Sequence, residues 1–230
     1  MLLVRFSMHP LLVRIPIFKN LSREDYELLE GSLESRSFAK GEQIYNAGEN
    51  TSALFVVKTG MVKIYQIRKG ITKEEIVEIY RKYDVFPLFE LLTKENFATS
   101  AKALTDLETI TISKEVIQKL LEQSHVFSLD VNKHFAARLC NLTASLCELS
   151  LSTTRERLAR YIYREYEAQR KSRSLLLPLN QTQLASYLGT VRETVSRDLA
   201  ALKKAKIISS MKSKIEILSL EDLRQMAGCN

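Results

Sequence analysis

Tryptophan is absent from this 230-residue chain, and cysteine, histidine, proline and glycine are scarce, at three, three, four and seven residues. Each shortage excludes something. Cys140, Cys147 and Cys229 form neither a CxxC pair nor a close cluster, so a cysteine-held zinc site and an iron–sulfur cluster are not expected. Cys140 and Cys147 stand seven apart on one helix face and read as packing residues in a reducing compartment. No GxSxG, no phosphate-cradling glycine loop and no nucleophile–base pair is present, so an enzyme is not expected. No apolar run approaches the ~18 residues of a membrane span, and no basic helix carries an aromatic apolar face. The opening MLLVRFSMHPLLVRIPIF is apolar but interrupted by Arg5, Pro10, Arg14 and Pro16. Without a basic leader region or a clear cleavage site it is not read as a secretion signal, and a cytoplasmic location is expected.

What is present is a chain with 45% hydrophobic content, enough for two modest cores, and a formal charge of +7. The charge is unevenly placed. From Ser152 onward there are 15 basic and 8 acidic residues, and upstream the two signs cancel. All the net positive charge therefore lies in the last third, where a polyanion would be met.

In chain order, Ser22 with Asp25 signals a helix start, with Leu21 stapled against Tyr26. From Arg36 to Ile112 short β-type runs are punctuated by four of the seven glycines, Gly41, Gly48, Gly60 and Gly70. Leu54–Val57 and Met61–Tyr65 flank a turn at Thr59 and Gly60, and Glu75–Tyr80 and Thr109–Ile112 add strands. A jelly roll or barrel closes such a sheet with few free edges. Metal-dependent enzymes of the cupin type share that shape, but His9, His125 and His134 all fall outside Arg36–Ile112, so strand-borne imidazoles are lacking.

Ser113 opens a connecting element, with Ile112 and Ile117 as a staple, and a long helix is predicted from about His125 to Leu151. Leu129, Asn132, Ala136, Leu139, Leu142, Leu146, Leu149 and Thr153 are spaced mainly by fours and threes, the seam of a coiled coil. So narrow a stripe predicts pairing with a second copy, and Leu129, Ala136, Leu139, Leu142, Leu146 and Leu149 are the predicted dimer contacts. Ser152–Thr154 is the predicted hinge.

Gln181–Ile208 carries the densest signal. Leu184 and Leu188 lie at helical spacing, Gly189 interrupts, and Val195, Leu199 and Leu202 resume an apolar face, with Ala185 small enough for a close helix crossing. This is helix-turn-helix grammar. Thr190 and Glu193 read as a capping box for the second helix. Arg192, Glu193, Ser196 and Arg197 form a base-reading set, because arginine forks onto guanine, glutamate accepts from cytosine and serine serves either way. Glu193 as a cap only, and the arginines as a solvated face, is the alternative. Asp198 stands where such motifs often hold an apolar residue. A hairpin, Ile207–Met211 and Lys214–Leu218 around Lys212 and Ser213, reads as a wing whose lysines touch phosphate.

The segments LASYLGTVRETVSRDLAAL and KKAKII, with this order of parts over nearly the whole chain, resemble the Crp/Fnr family of bacterial transcription regulators. The resemblance implies an α+β fold in three parts. Residues 1–112 are a cyclic-nucleotide-binding-like antiparallel jelly roll serving as sensor, 113–151 the connecting and dimerisation helix, and 152–230 a winged helix-turn-helix. It implies double-stranded DNA with pseudo-palindromic half-sites, a TGA half-site core, and RNA polymerase as partners. Thr190, Gln181, Thr182, Lys212 and Lys214 join Arg192, Glu193, Ser196 and Arg197 in the predicted DNA-contact set.

In the cyclic-nucleotide branch a glutamate and an arginine hold the ribose and phosphate, whereas Leu88 and Phe97 stand at the matching positions here. An anion would be buried without its cation, so cyclic AMP is disfavoured. Val85, Phe86, Leu88, Phe89, Leu92 and Phe97 are predicted to line an apolar effector pocket instead. The combination looks like the Dnr and HcpR branches, which respond to nitric oxide or nitrosative stress and in which haem is implicated. That implies His134 and Met61 as candidate axial ligands, with His9 and His125 behind them. A ligand-binding barrel whose basic tail docks on an acidic protein is the competing class.

Overall fold

The computed structural model describes residues 9–50, 52–67, 74–93, 96–211 and 214–228, with the backbone alone for Cys147, Glu148 and Met211. The chain divides into two compact units, Met1–Gln66 with Val77–Cys140 and Ile67–Ile76 with Asn141–Asn230.

In the first unit, helix α1 (Arg23–Glu30) begins at Ser22, whose hydroxyl accepts from the Asp25 amide while the Asp25 carboxylate accepts from the Ser22 amide. This is the reciprocal cap the sequence predicts. Eight strands follow: β1 (Glu34–Phe38), β2 (Gln43–Tyr45), β3 (Ala53–Thr59), β4 (Val62–Ile67), β5 (Glu74–Tyr80), β6 (Val85–Phe86), β7 (Ser100–Ala103) and β8 (Leu107–Ser113), with helix α2 (Leu88–Thr93) between β6 and β7. They make two four-stranded sheets, ordered β1-β8-β3-β6 and β2-β7-β4-β5. That is the double-sheet jelly roll.

Alternation along the strands sorts their side chains into two cores. Val62 and Ile64 join Phe55, Phe86, Phe97 and Leu107 inside the roll. Leu54, Val56, Ile110 and Ile112 pack outside it against Tyr26, Leu29, Ile117, Leu120, Phe127 and Val131. The buried threonines of β8 are satisfied by the neighbouring strand, since Thr109 and Thr111 donate to the carbonyls of Arg36 and Glu34 at 3.3 Å each.

Helix α3 (Lys114–Gln123) is capped by Ser113, and helix α4 runs His125–Leu151. The N-terminal turns of α4 anchor in the outer core through Phe127 and Val131. Its predicted seam lies in water: Leu129, Ala136, Leu139, Leu142, Leu146 and Leu149 are all exposed, Leu139 to 65%, and so is Leu151 beyond them.

The second unit holds α5 (Thr154–Ala168), β9 (Ser174–Leu176), α6 (Gln181–Tyr187), α7 (Arg192–Lys204), β10 (Ile208–Met211), β11 (Lys214–Ile217) and α8 (Leu220–Ala227). A three-stranded sheet ordered β10-β11-β9 forms the wing. The segment predicted as a hinge is short: α4 stops at Leu151, and Thr153 already caps α5 in a box with Glu156.

Gly60 shows how tightly the roll is closed. Its φ is +87°, and a Cβ there would lie 2.2 Å from the Asp106 carbonyl oxygen. Gly60→Ala is therefore predicted to cost about 1–3 kcal/mol through left-handed strain and displaced backbone, read as a lower urea midpoint for unfolding. An unchanged midpoint would show that the β3–β4 turn yields freely.

Candidate nucleic-acid interface

Helix α6 starts at Asn180, whose side chain accepts from the Gln183 amide while Gln183 answers at the Asn180 amide. It ends at Leu188, followed by Gly189 at φ +66°. The Thr190 amide then donates to the Ala185 carbonyl at 2.9 Å, which closes the turn. Ala185 is buried, as a close helix crossing requires. Helix α7 begins at Arg192 with Val191 at the N-cap position. The predicted Thr190–Glu193 box therefore does not start this helix: the cap residue lies one position later and has no side-chain oxygen to offer. Glu193 is released from that duty.

Val195, Asp198, Leu199 and Leu202 turn inward on α7. The opposite face, with Gln181 from the first turn of α6, lines an open groove of about 460 Å³ edged by Arg192, Glu193, Ser196, Arg197 and Ala200. Five predicted contact residues from two helices thus meet on one surface. Thr182 is exposed beside Gln181, Thr190 is half-buried in the turn, and Lys214 is exposed at the start of β11. Lys212 lies outside the described residues.

Three arginines of α5, missed by reading the sequence, frame this motif. Arg155 Nε reaches the carboxylate of Asp198 at 3.4 Å. Arg157 donates to the Leu188 carbonyl at 3.2 Å and to the Ser152 carbonyl at 2.6 Å. One guanidinium thereby joins the end of α4 to the end of α6. Arg160 donates to the Ala227 carbonyl at 2.9 Å and secures α8. Arginines in a basic stretch look solvated in one dimension; the Leu188 carbonyl, the Asp198 carboxylate and the Ala227 carbonyl they reach lie 31, 43 and 67 residues away.

The barrel does not assemble the predicted effector pocket. Val85, Leu88 and Leu92 belong to the outer core, Phe86 and Phe97 to the inner one, and Phe89 is 60% exposed. The cause is geometric. Val85 and Phe86 point to opposite faces of β6, and the chain then turns into α2, whose sides diverge again. Phe97 is stacked on Tyr45 with ring centroids 3.7 Å apart. Beside that stack sit the buried Tyr45 hydroxyl and Thr99 Oγ1. Burial pushes the Tyr45 and Tyr80 phenols well above their ordinary range, so both remain protonated. Arg138 of α4 hydrogen-bonds the Tyr80 hydroxyl and pairs with Glu78, both from β5.

Of the two candidate axial ligands, Met61 has surroundings that oppose a haem iron and His134 does not. Met61 places its sulfur 3.3 Å from a guanidinium nitrogen of Arg81, an unfavourable neighbour for a cationic iron. His134 is half-buried on α4, with burial and then Arg138 depressing its pKa. Among the described residues no group of three or more His, Cys, Asp or Glu is placed to hold a metal ion, and no helix is long and apolar enough to cross a membrane.

Arg138→Ala would strand the partly buried Glu78 carboxylate without its cation. It is predicted to lower barrel stability by about 1–3 kcal/mol, measured by urea unfolding. A loss no larger than that of an exposed control such as Arg23→Ala would show the pair to be inert.

Comparison with known proteins agrees with both halves. Residues 156–226 match the Crp-like helix-turn-helix domain family and residues 35–124 the cyclic nucleotide-binding domain family. The chain is 29% identical over 213 residues to the "Probable transcriptional regulator flp" of Lacticaseibacillus casei, covering 93% of this chain and 96% of the relative. It is 26% identical over 212 residues to the cyclic AMP receptor protein of Thermus thermophilus, covering 92% and 96%. Among solved structures, FixK2 from Bradyrhizobium japonicum superposes with a TM-score of 0.76 at 22% identity, over 84% of this chain and 96% of that one. A cyclic-nucleotide-binding-type β-roll, followed by a Crp-like helix-turn-helix in an order kept along nearly the full length of these relatives, makes this chain a DNA-binding transcription regulator of the Crp/Fnr family.

Proposed function

We propose that this protein acts in the cytoplasm as a homodimer that reads a pseudo-palindromic DNA site with two copies of α7, under the control of a small effector other than cyclic AMP. The observation that carries the reading is the groove in which Gln181, Arg192, Glu193, Ser196 and Arg197 converge, on the unit that holds the net positive charge. Arg197 and Glu193 are the proposed base readers, with Ser196 and Arg192 beside them. Thr190, Gln181, Thr182, Lys214 and Lys212 are the proposed phosphate contacts. The division into a sensor at 1–112, a connecting and dimerisation helix at 113–151 and a DNA-binding part at 152–230 belongs to the same reading.

The exposed leucines of α4 supply the second copy. Leu139, Leu142, Leu146 and Leu149 are at least half exposed among the described residues, and a stripe spaced by threes and fours fits an identical helix across a twofold axis. Twofold symmetry then sets two recognition helices about 34 Å apart, one turn of duplex.

The effector's chemistry follows from the inner core. Phe97, stacked on Tyr45, occupies the place where a nucleotide phosphate would need a cation, and Arg138 is already paired with Glu78. A cyclic nucleotide would bury its charge uncompensated. The aromatic residue at that position supports kinship with the Dnr and HcpR branches, with nitrosative stress as the proposed signal and without an assigned haem ligand pair. RNA polymerase is the proposed protein partner at the promoter.

Arg197→Ala is predicted to cost about 1–3 kcal/mol on the preferred duplex and to relax discrimination at one base position, whereas Lys214→Ala should weaken all duplexes alike. Fluorescence anisotropy with preferred and scrambled duplexes separates the two; unchanged discrimination in Arg197→Ala would reassign that residue. Leu142→Asp with Leu146→Asp should convert the protein to a monomer by sedimentation and abolish high-affinity binding. A double variant that stays dimeric would remove α4 from the interface.

A further inference from the structure

Asp198 is the one residue of the inward face of α7 that breaks the apolar pattern. Val195, Leu199 and Leu202 around it are buried, and so is the Asp198 side chain, only 7% exposed. Its described hydrogen bond runs to Arg155 Nε, 3.4 Å away in the first turn of α5 and 43 residues earlier in sequence. The Arg155 side chain is about half exposed.

An apolar stripe holds a helix against its neighbours without directional preference, so it tolerates small rolls about the helix axis. A carboxylate withdrawn from water does not, because rolling it from its cation leaves a buried charge uncompensated. The consequence on the far side of α7 is large. Side chains stand about 5–6 Å from the helix axis, so a roll of about 20° would carry the Arg197 guanidinium and the Glu193 carboxylate through about 2 Å. Fork hydrogen bonds to a base edge do not survive such a displacement.

We propose that Asp198 and Arg155 are positioning residues that fix the roll of the recognition helix on α5, so that the ion pair sets sequence discrimination without touching DNA. The inference rests on the base-reading role proposed for α7.

The test uses the full-length protein and a duplex it selects from a randomised pool, together with the same duplex carrying one base change in a half-site and a scrambled duplex, all at physiological salt. Wild type should prefer the selected duplex over the single-base variant by about tenfold or more. Asp198→Leu, γ-branched like aspartate and at home among Val195, Leu199 and Leu202, should fold and dimerise normally but reduce that preference to about threefold or less. Its affinity for scrambled duplex, governed by phosphate contacts, should stay within about twofold of wild type. Arg155→Met should reduce the preference in the same way, and Asp198→Glu, which keeps the carboxylate, should retain most of it. If Asp198→Leu and Arg155→Met keep the full wild-type preference, the ion pair is structural only and the inference is overturned. If wild type itself shows no preference, the base-reading role of α7 falls and takes the inference with it.

Discussion

The joint made by Arg157 is the contact on which the DNA-binding unit most depends. A helix ends with carbonyls lacking amide partners and with a partial negative charge, and two such ends brought together repel. Here the carbonyl of Ser152, just past α4, and that of Leu188, closing α6, converge on one guanidinium at 2.6 and 3.2 Å. A planar fork of donors can satisfy both, where an ammonium would hold neither in a fixed direction. Gly189 completes the joint, since a Cβ at this residue would come within 3.3 Å of Leu149 Cδ2. The last turn of α4 and the turn of the helix-turn-helix are thus held side by side.

This arrangement explains why so much apolar surface is left on α4. A helix whose only task was to connect two units would carry a polar surface, whereas Leu129, Leu139, Leu142, Leu146, Leu149 and Leu151 stand in water on this one. Such a stripe is stable in water only when covered. Covering it with a second copy places two joints, and therefore two recognition helices, under one symmetry axis. An effector acts on such a device only through a difference in its affinity for two arrangements of the paired helices. Arg138 stands on α4 in contact with Tyr80 and Glu78 of the roll, so packing inside the barrel bears directly on the helix proposed to pair.

Much of this was legible in the sequence, for identifiable reasons. The caps at Ser22 and Ser113, the turn at Gly60 and the extent of α4 are written in local chemistry: a hydroxyl three residues before a helix amide, a glycine with positive φ, leucines at threes and fours. The groove residues could be read because their exposure follows from the apolar face behind them. What could not be read depended on distant partners. Asp198 looked like a departure from pattern because Arg155 lies 43 residues away, and Arg157 was only one of the fifteen basic residues counted from Ser152 onward. The apolar run from Val85 to Leu92 suggested one pocket because apolar runs carry no face; a two-residue strand followed by a helix distributed it over two cores and the surface.

The central claim is that two copies of α7 are held one helical turn apart on a single duplex. Its most direct test is the dependence of affinity on half-site spacing. Two selected half-sites should bind most tightly at a centre-to-centre separation of about 10–10.5 base pairs. Inserting about five base pairs, which turns one half-site to the opposite face of the duplex, should reduce the affinity to that of a single half-site. Equal affinity at both spacings would contradict the account.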